Sequence, residues 1–187
     1  IGGAPVKPYQ PEGLWEQLSV IDDQKLYVRS KGADLYRRSL YTYWKRTVPP
    51  PSLTTFDAPT REFCSTRRPL STTPLQALAL LNDETYVEAS RKLAERMMLE
   101  GGTSVAARIR YGFLLAASRT PTVSEINTLQ AGFERRLAMY RKDASAAAKV
   151  LQAGDAPRES SLNPVELAAY TTVASVLLNL DEVITKQ

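Results

Sequence analysis

The chain has 187 residues, of which 43% are hydrophobic and 24% are charged, and its net charge is +4. A chain of this length can bury one substantial core, and no apolar run approaches the roughly 20 residues that a transmembrane helix needs. Because the sequence has no histidine and one cysteine, Cys64, it excludes His-based triads, HExxH zinc sites and an internal disulfide. We predict that Cys64 is a small buried residue rather than a nucleophile, since no histidine can act as its base.

The excess of positive charge lies in the first third of the chain. Residues 1–70 carry 11 basic and 7 acidic side chains, whereas residues 71–187 carry 13 of each. Two interpretations are open for the arginines of the basic segment. They can bind an anionic partner, or they can lie along the surface and pair with carboxylates on helices, such as Glu84 and Glu88.

The first third predicts little regular structure. Three prolines spaced by three residues indicate an extended lead-in, followed by a short helix over residues 12–18 and a short strand over residues 25–29. Apolar residues at three- and four-residue spacing favour a helix over residues 34–48, although the aromatic and β-branched composition leaves a strand as the alternative. The three prolines at 49–51 end either element. Residues 54–72 are predicted to form an irregular connector that is functional rather than disordered.

From Thr73 onward the sequence predicts a succession of capped helices. The first begins at Thr73-Pro74, and the second begins at Glu84 and ends at Gly101-Gly102 with a left-handed residue. The following helices begin after Thr103, at the capping box Thr122–Glu125, at the cap Asp143 and at Asn163-Pro164. The last helix is predicted to be central because its apolar residues cover most of its circumference. Gln76, Asn82 and Asp83 are interpreted as helix-end hydrogen bonders, and Met97-Met98 as core filling.

These signals predict an all-α fold, mainly an antiparallel helical bundle with an irregular, Pro/Arg/aromatic-rich N-terminal third. We expect residues 1–73 to form the lead-in and basic block, and residues 74–187 to form the bundle, within one compact domain. The helix after Thr103 is expected to direct Val105, Ile109, Phe113 and Leu114 to the core.

The basic block holds the candidate ligand-binding residues. They are Arg37, Arg38, Tyr41, Trp44, Lys45, Arg46, Arg61, Arg67 and Arg68. Aromatic faces stack on sugar rings, and guanidinium groups bind carboxylate or sulfate with paired hydrogen bonds. The same residue types are enriched at protein interfaces, so contact with a neighbouring domain is the alternative. No nucleic-acid-binding motif accompanies them, and we expect no nucleic acid partner.

Asp57 and Glu62 are the only carboxylates among residues 35–70 and are therefore the catalytic candidates. A glycoside hydrolase uses such a pair as acid and as base or nucleophile. The alternative is structural: Asp57 caps a helix beginning at Pro59, and Glu62 lies in the first turn of that helix. We predict no metal site.

Four segments of the chain resemble a known family in order and over nearly the whole length. They read GGAPVKPYQPEGLW, DLYRRSLYTYWKRTVPPPSLTTFDAPTREFC, STTPLQALALLNDETYVEASRKLAER and ELAAYTTVASVLLNLDEVITK, and they resemble the C-terminal domain of unknown function fifteen-fifty-three. The resemblance implies a large exported protein of planctomycete type, a periplasmic or cell-surface setting, an upstream companion domain and often a cytochrome c-type domain. No haem-attachment CxxCH occurs in the chain, so any haem c is expected elsewhere in the parent protein.

The first residues, Ile1-Gly2-Gly3, include no initiator methionine and no signal-type segment, which predicts that the chain is part of a longer polypeptide. We expect a binding or scaffold module that docks on the upstream domain and presents a basic aromatic surface to acidic polysaccharide. In isolation it is not expected to be an enzyme. The alternative is half of an active site for extracellular polysaccharide, completed by the upstream domain and lined by the candidates Arg37, Arg38, Asp57, Arg61 and Arg68.

Overall fold

The structure, a computed structural model, describes residues 3–10, 13–14, 27–45, 48–67 and 69–185. Across these residues the fold is all-α, with eight α-helices and no β-strand. The chain divides into two compact units, Ile1–Gln76 and Ala77–Gln187. No helix of the described part is long and apolar enough to cross a membrane.

The helices are α1 (Pro51–Thr55), α2 (Pro74–Asn82), α3 (Glu84–Glu100), α4 (Val105–Ala117), α5 (Val123–Lys142), α6 (Ala144–Leu151), α7 (Pro164–Leu178) and α8 (Asp181–Ile184). At most five residues separate α3 from α4, α4 from α5 and α5 from α6, and the two helices of each pair pack together. Connections this short favour antiparallel neighbours. The helices predicted after Thr73 are confirmed, and α7 ends two residues earlier than its predicted end at Leu180.

Side chains at the predicted caps satisfy the first free N–H groups of the helices. Thr122 and Glu125 form the reciprocal capping box of α5. The Asp143 carboxylate accepts from the N–H groups of Ser145 and Ala146 at the start of α6, and the Asn163 side chain does the same for α7. These hydrogen bonds explain why each helix begins where the sequence places it.

Helix α7 is the centre of the second unit, because it packs against α3, α4, α5 and α6. Its buried residues include Leu167, Tyr170 and Leu177, each with no exposed area. The ring of Tyr170 lies 4.3 Å from that of Phe133 of α5, measured between centroids. Met97 and Met98 of α3 are buried in the same core, as predicted.

One predicted core residue, Leu114, is instead 48% exposed. Ile109 and Phe113 of the same helix are buried and are four residues apart, so they share one face of α4. Leu114 follows Phe113 by one position and is therefore rotated by about 100° away from that face. The prediction assigned too wide a face of α4 to the core.

The polar face of α3 holds the loop that joins α6 to α7. Arg91 is 1% exposed and donates hydrogen bonds to the carbonyl oxygens of Ala153 and Ala156, and to the Glu95 carboxylate on its own helix. Glu88, also buried, accepts from the N–H of Ala156 at 2.8 Å. The loop is thus fixed by buried charge-assisted hydrogen bonds rather than by apolar packing alone.

An ion-pair cluster joins α5 to α8 and predicts a pH dependence of stability. The Arg119 guanidinium donates to the carboxylates of Glu125 and Glu182, with the shortest N···O distances at 2.7 Å. The bonds from Arg119, together with those from Thr122, lower the pKa of Glu125 to about 2. Because the folded pKa lies below the ordinary value, this contribution to stability is present above pH 4.5 and is lost as the pH falls toward 2.

We therefore expect Glu125→Gln to lower the urea midpoint at neutral pH and to match the wild type near pH 2. Urea unfolding at several pH values, followed by circular dichroism, measures this difference. Glu134→Gln removes an exposed carboxylate of the same helix that lies in no described ion pair, and its difference from the wild type should be smaller. A Glu125→Gln difference that stays constant with pH would contradict the assignment.

The predicted helix over residues 34–48, and its strand alternative, are both wrong for the described residues of that segment. Only two short 3-10 helices form, Gly32–Tyr36 and Ser39–Tyr41. The N–H of Val6 donates to the carbonyl of Tyr41, and the N–H of Tyr43 donates to the carbonyl of Val6. The backbone of this segment therefore finds its partners in the lead-in, 35 residues or more away, which no local pattern indicates.

Other early predictions fall partly outside the described residues. The helix over residues 12–18 lies almost wholly outside them. Of the strand predicted over residues 25–29, the described residues 27–29 are not in a strand.

Candidate functional site

Helix α1 and the turn that follows it build the most distinctive site of the first unit. Pro51 is the first residue of α1, although it was predicted to end an element. The first position of a helix suits the fixed φ of proline and its missing N–H. After α1 the chain turns through Asp57 and Arg61, which have φ values of +58° and +64°. Left-handed backbone is unusual for residues other than glycine and costs on the order of 1 kcal/mol each.

The turn forms one wall of a pocket of about 460 Å³, which we name the Trp44 pocket. It is lined by Ser39, Leu40, Trp44, Leu53, Phe56, Ala58, Pro59 and Arg61. The guanidinium carbon of Arg61 lies 4.7 Å from the centre of the Trp44 ring, a cation–π distance. The pocket therefore combines an apolar lining with one positive charge.

The connector after the pocket is closed by a hydrogen-bonded network. The Asp57 carboxylate accepts from both the N–H and the hydroxyl of Ser71 at 2.8 Å. Gln76, which is 2% exposed, donates to the carbonyl of Thr55 and to the Ser71 hydroxyl. Gln76 also forms a reciprocal pair of hydrogen bonds with Thr73 at the start of α2, which confirms its predicted role at a helix end.

This network corrects the structural prediction for Asp57. No helix begins at Pro59, because the Asp57 carboxylate is bonded to Ser71, 14 residues further along the chain, rather than to the next turn of backbone. The hydrogen bonds from the Ser71 side chain and backbone hold the pKa of Asp57 below its usual range. The carboxyl group stays ionised and closes the connector, which does not suit a general acid.

Arg37, Tyr41 and Lys45 have structural contacts of their own. The Arg37 guanidinium donates to the carbonyl of Ala4 at 2.9 Å and to the carboxylate of Asp34 at 2.8 Å. The carbonyl of Tyr41 accepts from Val6, and that of Lys45 accepts from Val48. None of the three lines the Trp44 pocket.

Of the other candidates, Arg38, Glu62 and Arg67 are exposed, whereas Arg46 and Arg68 lie outside the described residues. Cys64, predicted to be buried, is a free and exposed cysteine. The reason is that every described residue from Thr60 to Leu70 is exposed, so this part of the connector offers Cys64 no interior to enter.

Two of the residues that line the Trp44 pocket, Trp44 and Arg61, are among the predicted candidates, whereas its apolar residues are not. Leu53 and Phe56 are in or next to α1, a five-residue helix that is too short for a periodic pattern to reveal. The available signal was the proline run before them, since a proline that can begin a helix is as informative as one that ends it.

One comparison with known proteins identifies the family. A family model described as PSD1, protein of unknown function (DUF1553), matches residues 1–133. The chain belongs to the DUF1553 family. The Trp44 pocket, the Asp57 network and helices α1–α4 all lie within the match to DUF1553. No curated protein and no solved structure matches the chain significantly.

Proposed function

We propose that this DUF1553 chain is a binding module whose Trp44 pocket takes an acidic sugar unit of a polysaccharide. The observation that supports the proposal is the guanidinium of Arg61 lying 4.7 Å above Trp44, in an apolar pocket of about 460 Å³. Pockets of this size, with an apolar lining and few polar groups, are typical of small-ligand sites.

The contacts of Arg61 leave its donors available for a ligand. Trp44 covers one face of the guanidinium, whereas the N–H groups point outward in the plane of the group. Arg61 forms no ion pair with any described residue. A carboxylate or sulfate group can therefore accept two parallel hydrogen bonds from this edge, while the apolar part of the sugar contacts Leu40 and Phe56.

The backbone supports the same interpretation. Arg61 occupies the left-handed region of backbone conformation. Among its side-chain contacts, the stack on Trp44 is the one that requires a large residue at this position. Unfavourable backbone conformations are retained where the surrounding structure or a function fixes them. The buried Gln76 side chain fixes the backbone conformation of Arg61, because it bonds to Thr55 before the turn and to Ser71 after it.

The wider setting is part of the proposal and is supported by the sequence resemblance. On this view the module docks on an upstream domain of an exported, planctomycete-type protein in the periplasm or at the cell surface. Any haem c belongs to another domain of that protein. The exposed Arg38 and Arg67 add a positive field that raises the local concentration of an anionic polymer.

Binding to a panel of polysaccharides tests the proposal. We expect the chain to bind polygalacturonate or dextran sulfate, more weakly as salt rises from about 20 to 150 mM, and not to bind neutral dextran. Arg61→Gln should weaken binding about tenfold, because it removes a charged pair of hydrogen bonds. Isothermal titration calorimetry measures both effects.

Two further variants make the result specific. Arg67→Gln removes the same charge from an exposed position outside the pocket and should keep most of the affinity. Arg61→Gly keeps the left-handed backbone without strain, so it separates loss of the guanidinium from misfolding and should bind as weakly as Arg61→Gln. Equal losses in the Arg61→Gln and Arg67→Gln variants, or equal binding to neutral dextran, would overturn the proposal.

A further inference from the structure

The second unit contains a groove between α5 and α7 that the proposed function does not use. Its volume is about 460 Å³. It is lined by Thr128, Leu129, Gly132, Arg135, Arg136, Met139, Thr172, Val173 and Val176, and we name it the Arg135 groove. Six of these residues are on one face of α5, because Gly132, Arg135, Arg136 and Met139 follow Thr128 by four, seven, eight and eleven residues and Leu129 is next to Thr128.

Gly132 faces the open space of the groove. A Cβ atom added to Gly132 would meet no heavy atom within 4 Å, and its φ is not positive. Neither packing nor backbone conformation therefore requires glycine here, although glycine inside a helix costs about 0.5–1 kcal/mol relative to alanine. What glycine provides at this position is empty space between the two helices.

The walls of the groove are apolar and partly open to solvent. Val173 is buried, whereas Val176 and Met139 are 44% and 39% exposed. The hydroxyls of Thr128 and Thr172 donate to carbonyl groups of their own helices. Their methyl groups and the aliphatic residues therefore dominate the surface that a ligand would meet, which favours a hydrocarbon body.

Positive charge lies on the same helix face. Arg135 and Arg136 are exposed, and neither forms an ion pair with a described residue. Arg136 donates a hydrogen bond from its Nη1 atom to the sulfur of Met139 at 3.7 Å, so its guanidinium lies beside the apolar wall. Two guanidinium groups without an ion pair to a described residue, beside a hydrocarbon-lined groove, are complementary to a molecule with an apolar chain and a negative head.

We propose that the Arg135 groove binds a single-chain amphiphile of the fatty-acid type. The chain lies over Gly132 between α5 and α7, and the carboxylate accepts hydrogen bonds from Arg135 and Arg136. This site is in Ala77–Gln187, and the Trp44 pocket is in Ile1–Gln76. Its test is therefore independent of the test of the proposed function.

Decanoate, used below its micelle concentration, is the probe for titration calorimetry on the whole chain. Decyltrimethylammonium has the same hydrocarbon length and the opposite charge. We expect saturable binding of decanoate at one site, at least about tenfold tighter than binding of the cation, since each charge-assisted pair of hydrogen bonds contributes on this scale. Absence of saturable decanoate binding, or equal affinity for the two amphiphiles, would overturn the proposal.

Matched variants locate the site. Gly132→Leu fills the groove and should abolish decanoate binding, with circular dichroism used to confirm the helical fold. Arg135→Gln/Arg136→Gln should weaken binding about tenfold, whereas Arg141→Gln/Lys142→Gln removes the same charge from the end of α5 and should not. Retained binding in Gly132→Leu, equal effects of the two double variants, or a preference for an acidic amphipathic peptide over decanoate would refute a fatty-acid site.

Discussion

Replacing Arg91 with alanine is expected to lower the free energy of unfolding by about 3–5 kcal/mol. The Arg91 side chain is 1% exposed and bonds to the carbonyls of Ala153 and Ala156 and to the carboxylate of Glu95. Truncation would leave the carbonyls of Ala153 and Ala156 without this donor, and it would leave a cavity where the guanidinium lies. Glu95 retains its bonds from Lys92 and from the N–H of Glu159, but neither bond satisfies the carbonyls of Ala153 and Ala156.

Urea unfolding of the whole chain, followed by far-UV circular dichroism, measures this loss. Arg96→Ala is the matched control, because Arg96 is on the same helix and pairs with Glu100 at the exposed surface, where ion pairs contribute little. The double variant Arg91→Met/Glu95→Leu removes both charges together and should recover part of the loss. An Arg91→Ala variant as stable as Arg96→Ala would show that the loop is held by other contacts.

The second large effect is expected at Gly101, between α3 and α4. A Cβ atom there would lie 2.4 Å from the carbonyl oxygen of Met97 and 2.8 Å from the Cα of Arg108. Both are backbone atoms of packed helices and cannot rotate away, so the helix ends must separate. We expect Gly101→Ala to lower the free energy of unfolding by about 3 kcal/mol.

Gly132→Ala is the control for this substitution, because its Cβ meets open space in the interior of α5. It should raise stability by about 0.5–1 kcal/mol through the better helix propensity of alanine. Thermal unfolding of the two variants beside the wild type gives the comparison. If Gly101→Ala proved neutral, the close approach of α3 and α4 at Gly101 would be incorrect.

The bundle could be predicted because its signals are local. Thr122 and Glu125 are three residues apart, and Asn163 precedes Pro164 directly, so the sequence alone contains both halves of each cap. The apolar circumference of α7 likewise identifies a buried helix without any knowledge of its neighbours. Predictions of this kind need no information about distant residues.

The contacts that fix the loops could not be predicted, because their partners are far apart in sequence. Arg91 is a charged residue on a helix, a pattern typical of a solvated face, yet its acceptors are carbonyls 62 and 65 residues away. Every residue has a carbonyl group, so the sequence does not indicate which carbonyls accept a hydrogen bond from a side chain. The buried position of Arg91 is therefore visible only once the fold brings residues 153–156 to α3.

The same reason accounts for the errors in the first unit. Asp57 has the sequence context of a helix cap, with proline two residues later, but a serine N–H and hydroxyl 14 residues away compete successfully for its carboxylate. Trp44 and Arg61 were both candidates by chemistry, and their stacking depends on the left-handed turn at Arg61. A left-handed arginine is too rare to be expected from sequence.

The central position of α7 has a consequence for the synthesis of the chain. Helices α3, α4, α5 and α6 leave the ribosome before α7, so Met97, Phe113 and Phe133 lack the part of their core that residues 164–178 supply until those residues have emerged. The core of the second unit is therefore completed only after α7 has emerged. Apolar surface exposed during that interval favours aggregation, so we expect the nascent bundle to be most prone to it before α7 emerges.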